Sequence, residues 1–178
     1  MTRILSLLLL LGAALELHAQ AGVAGFDEYQ VKAAFLYNFA KFIDWPPEVS
    51  GDDKASFVIG VLGDNPFGNN LEQIVAGKKI NGHPIVVQAL QSASAASHCQ
   101  ILFISSSEKN RFTEILQNLR GTAVLTVSDT DQFIESGGMV NFVPEATKIR
   151  FEINNEAAKA ARLKISSKLL SLAITPAH

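Results

Sequence analysis

The sequence is poor in the groups that do covalent and metal chemistry. It holds one cysteine, Cys99, among 178 residues, so no internal disulfide can form and no CxxC zinc pattern exists. Charged residues are only 18%, and the formal net charge is −2. That balance lacks the clustered Lys/Arg surplus with which a protein neutralises nucleic-acid phosphates. The same low charge, with 48% hydrophobic residues, excludes a disordered chain. Only four histidines occur. No GxxxxGK[ST] loop, no GxSxG elbow and no GxGxxG fingerprint occurs. Gly60-Val61-Leu62-Gly63 departs from the last pattern.

The one long apolar run is at the amino end. Met1-Thr2-Arg3 supplies positive charge, and Ile4 to Leu15 follows almost unbroken, with Glu16 closing it. Twelve helical residues would reach roughly 18 Å, short of the ~30 Å hydrocarbon core. Ala19-Gln20-Ala21 provides the small residues of a cleavage site. The layout predicts a secretory signal peptide over residues 1–19, cut after Ala19 or Ala21, and a periplasmic mature chain. About 155 residues remain, enough for one domain with a core that needs no disulfide. Cys99 directly precedes an apolar run, which predicts a buried, inert thiol; a redox role would require an exposed sulfur or a second chain.

Periodicity lays out the rest. Asp27 is the predicted N-cap of a helix from Glu28 to about Ile43, with Val31, Phe35, Phe39 and Phe42 on one stripe and Leu36 and Ile43 widening it. That aromatic stripe packs a core or docks another protein. Glu48 to Ser56 is a polar loop. Phe57–Leu62, Ile85–Leu90, Ile101–Ile104 and Ala123–Val127 read as short buried strands, and Lys79-Ile80 joins the second of them through the Asn81-Gly82 turn. Helices are predicted after Asn65, after Ser105 (a capping box with Glu108), from Ser128-Asp129 to Gly137, from Asn154 or Asn155 to Arg162, and from Ser166 to Ala173. Met139–Val143 and Lys148–Ile153 form a hairpin around Pro144-Glu145-Ala146-Thr147. Alternating strands and helices predict an α/β fold: one domain over residues 26–174, a mainly parallel doubly wound sheet of about five to six strands, a C-terminal hairpin and flanking helices.

In such a sheet the ligand crevice lies beyond the carboxyl ends of the strands. Asp64 and Asn65, Ser105, Ser106 and Ser107, and Asp129 are the polar residues expected there. They hold a small polar ligand or merely cap helices. Asp64 and Asp129 are also the one acid–base pair a hydrolase reading could use. A receiver-type phosphoacceptor would need an aspartate where Ser105 stands. His98 and Cys99 are adjacent, so extended backbone would aim them to opposite faces and no Cys–His dyad is expected.

Four blocks add a resemblance. EYQVKAAFLYNFAKFIDWP (Glu28 to Pro46), VLTVSD (Val124 to Asp129), GGMVNFV (Gly137 to Val143) and RFEINNEAA with LKISSKLL (Arg150 to Leu170) resemble, in order, the YfiR/HmsC-like periplasmic proteins. The resemblance spans Tyr29 to Ala173. It implies a periplasmic α/β domain that regulates by binding, without known catalysis; no cofactor and no metal are expected. The implied partner is the periplasmic domain of a membrane-bound diguanylate cyclase, or another membrane sensor such as a histidine kinase, with a homodimer as the expected assembly. Studied relatives carry cysteine pairs; the single Cys99 removes internal disulfide exchange from what can be carried over. Tyr37, Lys41 and Trp45, on the first helix and its exit, are the expected partner contacts. The rival reading is a periplasmic small-ligand receptor built on the crevice residues.

Overall fold

The computed structural model describes residues 27–47, 56–145 and 148–174. The expected signal peptide, the loop 48–55 and the turn residues Ala146 and Thr147 lie outside the described residues.

The first helix, α1 (Glu28–Phe42), begins as its cap dictates: Asp27 Oδ1 accepts from the backbone N–H of Gln30 at 3.1 Å. Extended backbone at Ile43 ends it, and β1 (Ile43–Asp44) follows. Its buried face is Lys32, Ala33, Leu36, Phe39 and Ala40. The stripe is therefore rotated by about one residue from the expected one, and Val31, Phe35 and Phe42 are half-buried. The rotation has a cause: a lysine sits at the inward position, held by a charged partner across the fold.

The sheet is built from β2 (Phe57–Leu62), β3 (Lys79–Ile80), β4 (His83–Leu90), β5 (Ile101–Ile104), β6 (Leu125–Ser128), β7 (Val140–Glu145) and β8 (Lys148–Ile153). Their order is β3-β4-β2-β5-β6-β7-β8. The inner five are parallel, and the short β3 and the hairpin strand β8 close the two sides antiparallel. Seven strands exceed the expected five to six because Lys79–Ile80 and both hairpin strands join one sheet. Asn81 and Gly82 both take positive φ, the backbone a two-residue turn demands.

Helices α2 (Asn70–Val75), α3 (Phe112–Asn118), α4 (Asn155–Ala160) and α5 (Ser167–Leu170) flank this sheet. One sheet face, with Ile59, Val61, Phe103, Val127 and Phe142, packs against α1 and residues of α2, α4 and α5. The other, with Val58, Leu62, Leu102 and Ile104, packs against a 3-10 turn (Ala93–Ala96), α3 and Phe133. A two-stranded ribbon joins β1 to β9 (Lys164–Ile165), in the register Ile43 with Ile165 and Asp44 with Lys164. At the β8 side, Ile174 N–H donates to the Phe151 carbonyl at 2.9 Å, so the chain's late residues cover part of that edge.

Three local expectations are corrected. Asn65 does not cap a helix: its Oδ1 accepts from Phe67 N–H at 2.9 Å and its Nδ2 donates to the Gly68 carbonyl at 3.2 Å. Gly68 then takes positive φ, so the helix waits until Asn70. The segment after Ser105 starts as a 3-10 helix, Ser106–Arg111, before α3; Ser105 Oγ accepts from Ser107 N–H, and Glu108 pairs with Arg111 instead of completing a capping box. Between Asp129 and Gly137 the chain forms turns, with Gln132 at φ 68 breaking any helix.

Candidate functional site

The strand order reverses at β2 and β5, because β4 lies on one side of β2 and β5 on the other. The loops after these two strands therefore meet at the switch point where doubly wound sheets take ligands. Contact there is close. Asp64 N–H donates to Ser107 Oγ at 3.0 Å, and Ser105 N–H donates to the Leu62 carbonyl at 3.0 Å. Gly63 has φ +86, and a Cβ there would lie 2.4 Å from Ser107 Oγ. Asp64, Asn65, Ser106 and Ser107 are exposed at this edge, whereas Ser105 is buried.

Asp129 belongs to a different arrangement, one strand beyond β5. Its carboxylate faces α1: Oδ2 accepts from Lys32 Nζ at 2.6 Å and from the Tyr29 hydroxyl at 3.0 Å. Lys32 also pairs with Glu28 one turn earlier, and its ammonium lies 4.4 Å from the Tyr29 ring centroid. Tyr29 packs edge-on against Phe67, and Phe67 against Phe103. The first turn of α1 thus lies across the carboxyl edge, bridging the loop after β2 and the end of β6. The structure brings Asp64 to the serine loop after β5 and Asp129, after the adjacent β6, to α1.

Burial, the Asp129 charge and its hydrogen bond push the Tyr29 hydroxyl up to about 12, and the Glu28 charge adds to the same direction. Tyr29 and Lys32 were missed as site residues. The signal was present: Lys32, Leu36, Phe39 and Ile43 fall at i, i+4, i+7 and i+11, so a lysine occupies an apolar stripe and requires a buried anion.

The expected partner contacts run along α1 and its exit. Tyr37 is half-buried, with the Lys78 ammonium 4.3 Å and the Lys41 ammonium 5.5 Å from its ring centroid. Phe42 lies beneath Lys168 at 5.3 Å and Lys41 at 6.0 Å. The Trp45 indole N–H donates to the Gln100 carbonyl at 3.2 Å, and its ring meets Phe57 edge-on at 5.1 Å. Tyr37 and Lys41 therefore present a cationic, aromatic surface, while Trp45 is tied to the fold. Cys99 is fully buried, and burial pushes its thiol up to about 11. His98 is exposed and pairs with Gln88 at 2.8 Å. Among the described residues no group of three His, Cys, Asp or Glu could hold a metal ion, and no helix is long and apolar enough to cross a membrane.

The doubly wound sheet, with its polar switch-point loops and flanking helices, defines a single α/β domain. Its sequence matches the YfiR/HmsC-like family over residues 29–174, and the chain belongs to that family. A crystal structure titled as a conserved domain protein from Vibrio cholerae O1 biovar El Tor is similar in fold, with a TM-score of 0.56 at 10% identity. The match covers 83% of this chain and 60% of that one. No curated protein matches the chain.

Proposed function

We propose that this chain is a periplasmic inhibitor that binds the periplasmic part of a membrane-bound diguanylate cyclase, holds it inactive, and so lowers cyclic di-GMP and biofilm formation. The observation that carries this reading is the α1 surface: Tyr37 and Phe42, each half-buried, beneath the ammonium groups of Lys41, Lys78 and Lys168. An aromatic surface bearing several cations suits an acidic protein face, where aromatic anchors supply contact area and lysines steer approach. A signal relieves inhibition by binding better to the released protein than to the complex. The family supports the class; the helix surface supports the mode.

A second reading keeps the polar loops in play. Asp64, Asn65, Ser106 and Ser107 are exposed at the switch point, which favours a small polar ligand bound there and read by another membrane sensor such as a histidine kinase. Removing the gene is expected to raise cyclic di-GMP in the host, and restoring it to lower the level. Restoring a Lys41→Glu variant is expected to leave the level high. If the deletion leaves cyclic di-GMP unchanged while thermal-shift screening finds a polar metabolite that binds, the receptor reading replaces the first.

A further inference from the structure

The opposite edge of the sheet carries a cavity that the switch-point loops do not touch. It measures about 220 Å³ and opens between the end of α3, the 136–139 turn and α4. Its walls are mainly methyl and methylene groups, from Leu116, Leu119, Met139, Ala157 and Ala161. At about 30 Å³ per water, the space equals roughly seven waters, the size of a small organic molecule. Thr113, Gln117 and Ser136 also line it, and two further polar residues, Thr126 and Arg120, have hydrogen-bonding or charge capacity left over. Thr126, nearly fully buried, uses its Oγ1 to accept from Met139 N–H at 3.2 Å; its own hydroxyl hydrogen has no acceptor among the described residues. Arg120 is exposed on the cavity lining, and no carboxylate among the described residues pairs with its guanidinium.

A mainly apolar chamber with a buried hydroxyl donor and, in its lining, an arginine without a carboxylate partner among the described residues narrows the choice of occupant. We propose that this cavity binds a small apolar monocarboxylate, an aromatic or short aliphatic acid of about seven to ten non-hydrogen atoms, whose carboxylate pairs with Arg120 while its body fills the space between α3 and α4. A neutral molecule of the same shape would forgo the charged pair. The inference stands apart from the α1 surface and does not depend on a cyclase partner.

Benzoate is the probe, benzamide its neutral counterpart and hexanoate the flexible one. The readout is methyl NMR on the mature protein, with Leu116, Leu119, Met139, Ala157 and Ala161 as reporters. Benzoate is expected to shift these methyls saturably, with a dissociation constant of about 1 mM or tighter. Arg120→Gln lies on the surface and is expected to weaken benzoate about tenfold or more with unchanged circular dichroism. Ala160→Leu, on the cavity wall, is expected to weaken both acids by crowding them out. Three results overturn the proposal: no saturable shift with either acid, benzamide binding as tightly as benzoate, or full affinity in Arg120→Gln.

Discussion

Lys32 and Asp129 are 97 positions apart in the chain, yet Nζ lies 2.6 Å from Oδ2, with 2% and 7% of the two side chains exposed. The pair joins the first helix to the end of β6. Removing one member strands a buried charge, and such a loss costs about 3–5 kcal/mol. Lys32→Met and Asp129→Ala are each expected to lower the urea midpoint markedly, the second somewhat less because Glu28 still faces Lys32. The double variant is expected to lose clearly less than the sum of the singles. Additive losses would show that the two residues act independently.

Tyr29 adds a pH dependence at the alkaline end. Its folded-state value near 12 exceeds the ordinary 10, so the neutral phenol is the form that folding favours. The contribution is complete below pH 10 and declines as pH rises from about 10 to 12, because the unfolded chain releases its proton first. A Tyr37→Phe protein leaves Tyr29 as the sole tyrosine of the two, and its absorbance at 295 nm is expected to rise with a midpoint near 12. A midpoint near 10 would contradict the buried, charge-flanked environment.

Cys99 is expected to resist alkylation at pH 8 until the protein unfolds, because the thiol is buried and its ionisation is pushed to about 11. Gly60 lies against it: a Cβ at Gly60 would sit 2.9 Å from Cys99 Sγ and 2.8 Å from Leu90 Cδ1. Gly60→Ala is therefore expected to cost about 1–3 kcal/mol and to speed labelling of the native protein. Labelling at the rate of a free thiol in the unaltered protein would refute this packing.

Trp45 and Lys41 are expected to separate stability from recognition. Trp45→Phe loses the indole hydrogen bond to the Gln100 carbonyl, but that carbonyl still accepts from Leu125 N–H at 2.9 Å. The expected cost is about 1 kcal/mol, read from thermal or urea unfolding. Lys41→Glu changes an exposed residue and is expected to shift stability by no more than about 0.5 kcal/mol while abolishing partner binding. Equal effects of both variants on stability and on binding would remove the distinction drawn between them.

The strands were readable because FVIGVL and ILFI are short apolar runs buried on both faces, and the pattern alone identifies them. The α1 cap and the Asn81-Gly82 turn were readable from local chemistry as well. What escaped depended on distant partners. Asn65 and Asp129 look like helix caps in isolation, yet one wraps its own turn and the other reaches across the sheet to Lys32. The β1–β9 ribbon was invisible because each strand is two residues long and their partnership spans most of the domain. The cavity beside Arg120 is lined from four separate segments, by residues such as Leu116, Thr126, Met139 and Ala157, and none of those residue types announces a site.

The placement of α1 has a consequence for a chain delivered amino end first, from a ribosome or through a translocation pore. Phe39 stacks on Phe142 and meets Phe151 edge-on, and Ser166 N–H reaches back to the Phe42 carbonyl, so the helix completes its seat only when these late residues join Phe67 and α2, which it also touches. The early partners are available first, and the aromatic side of the helix is covered only once the final segment has emerged.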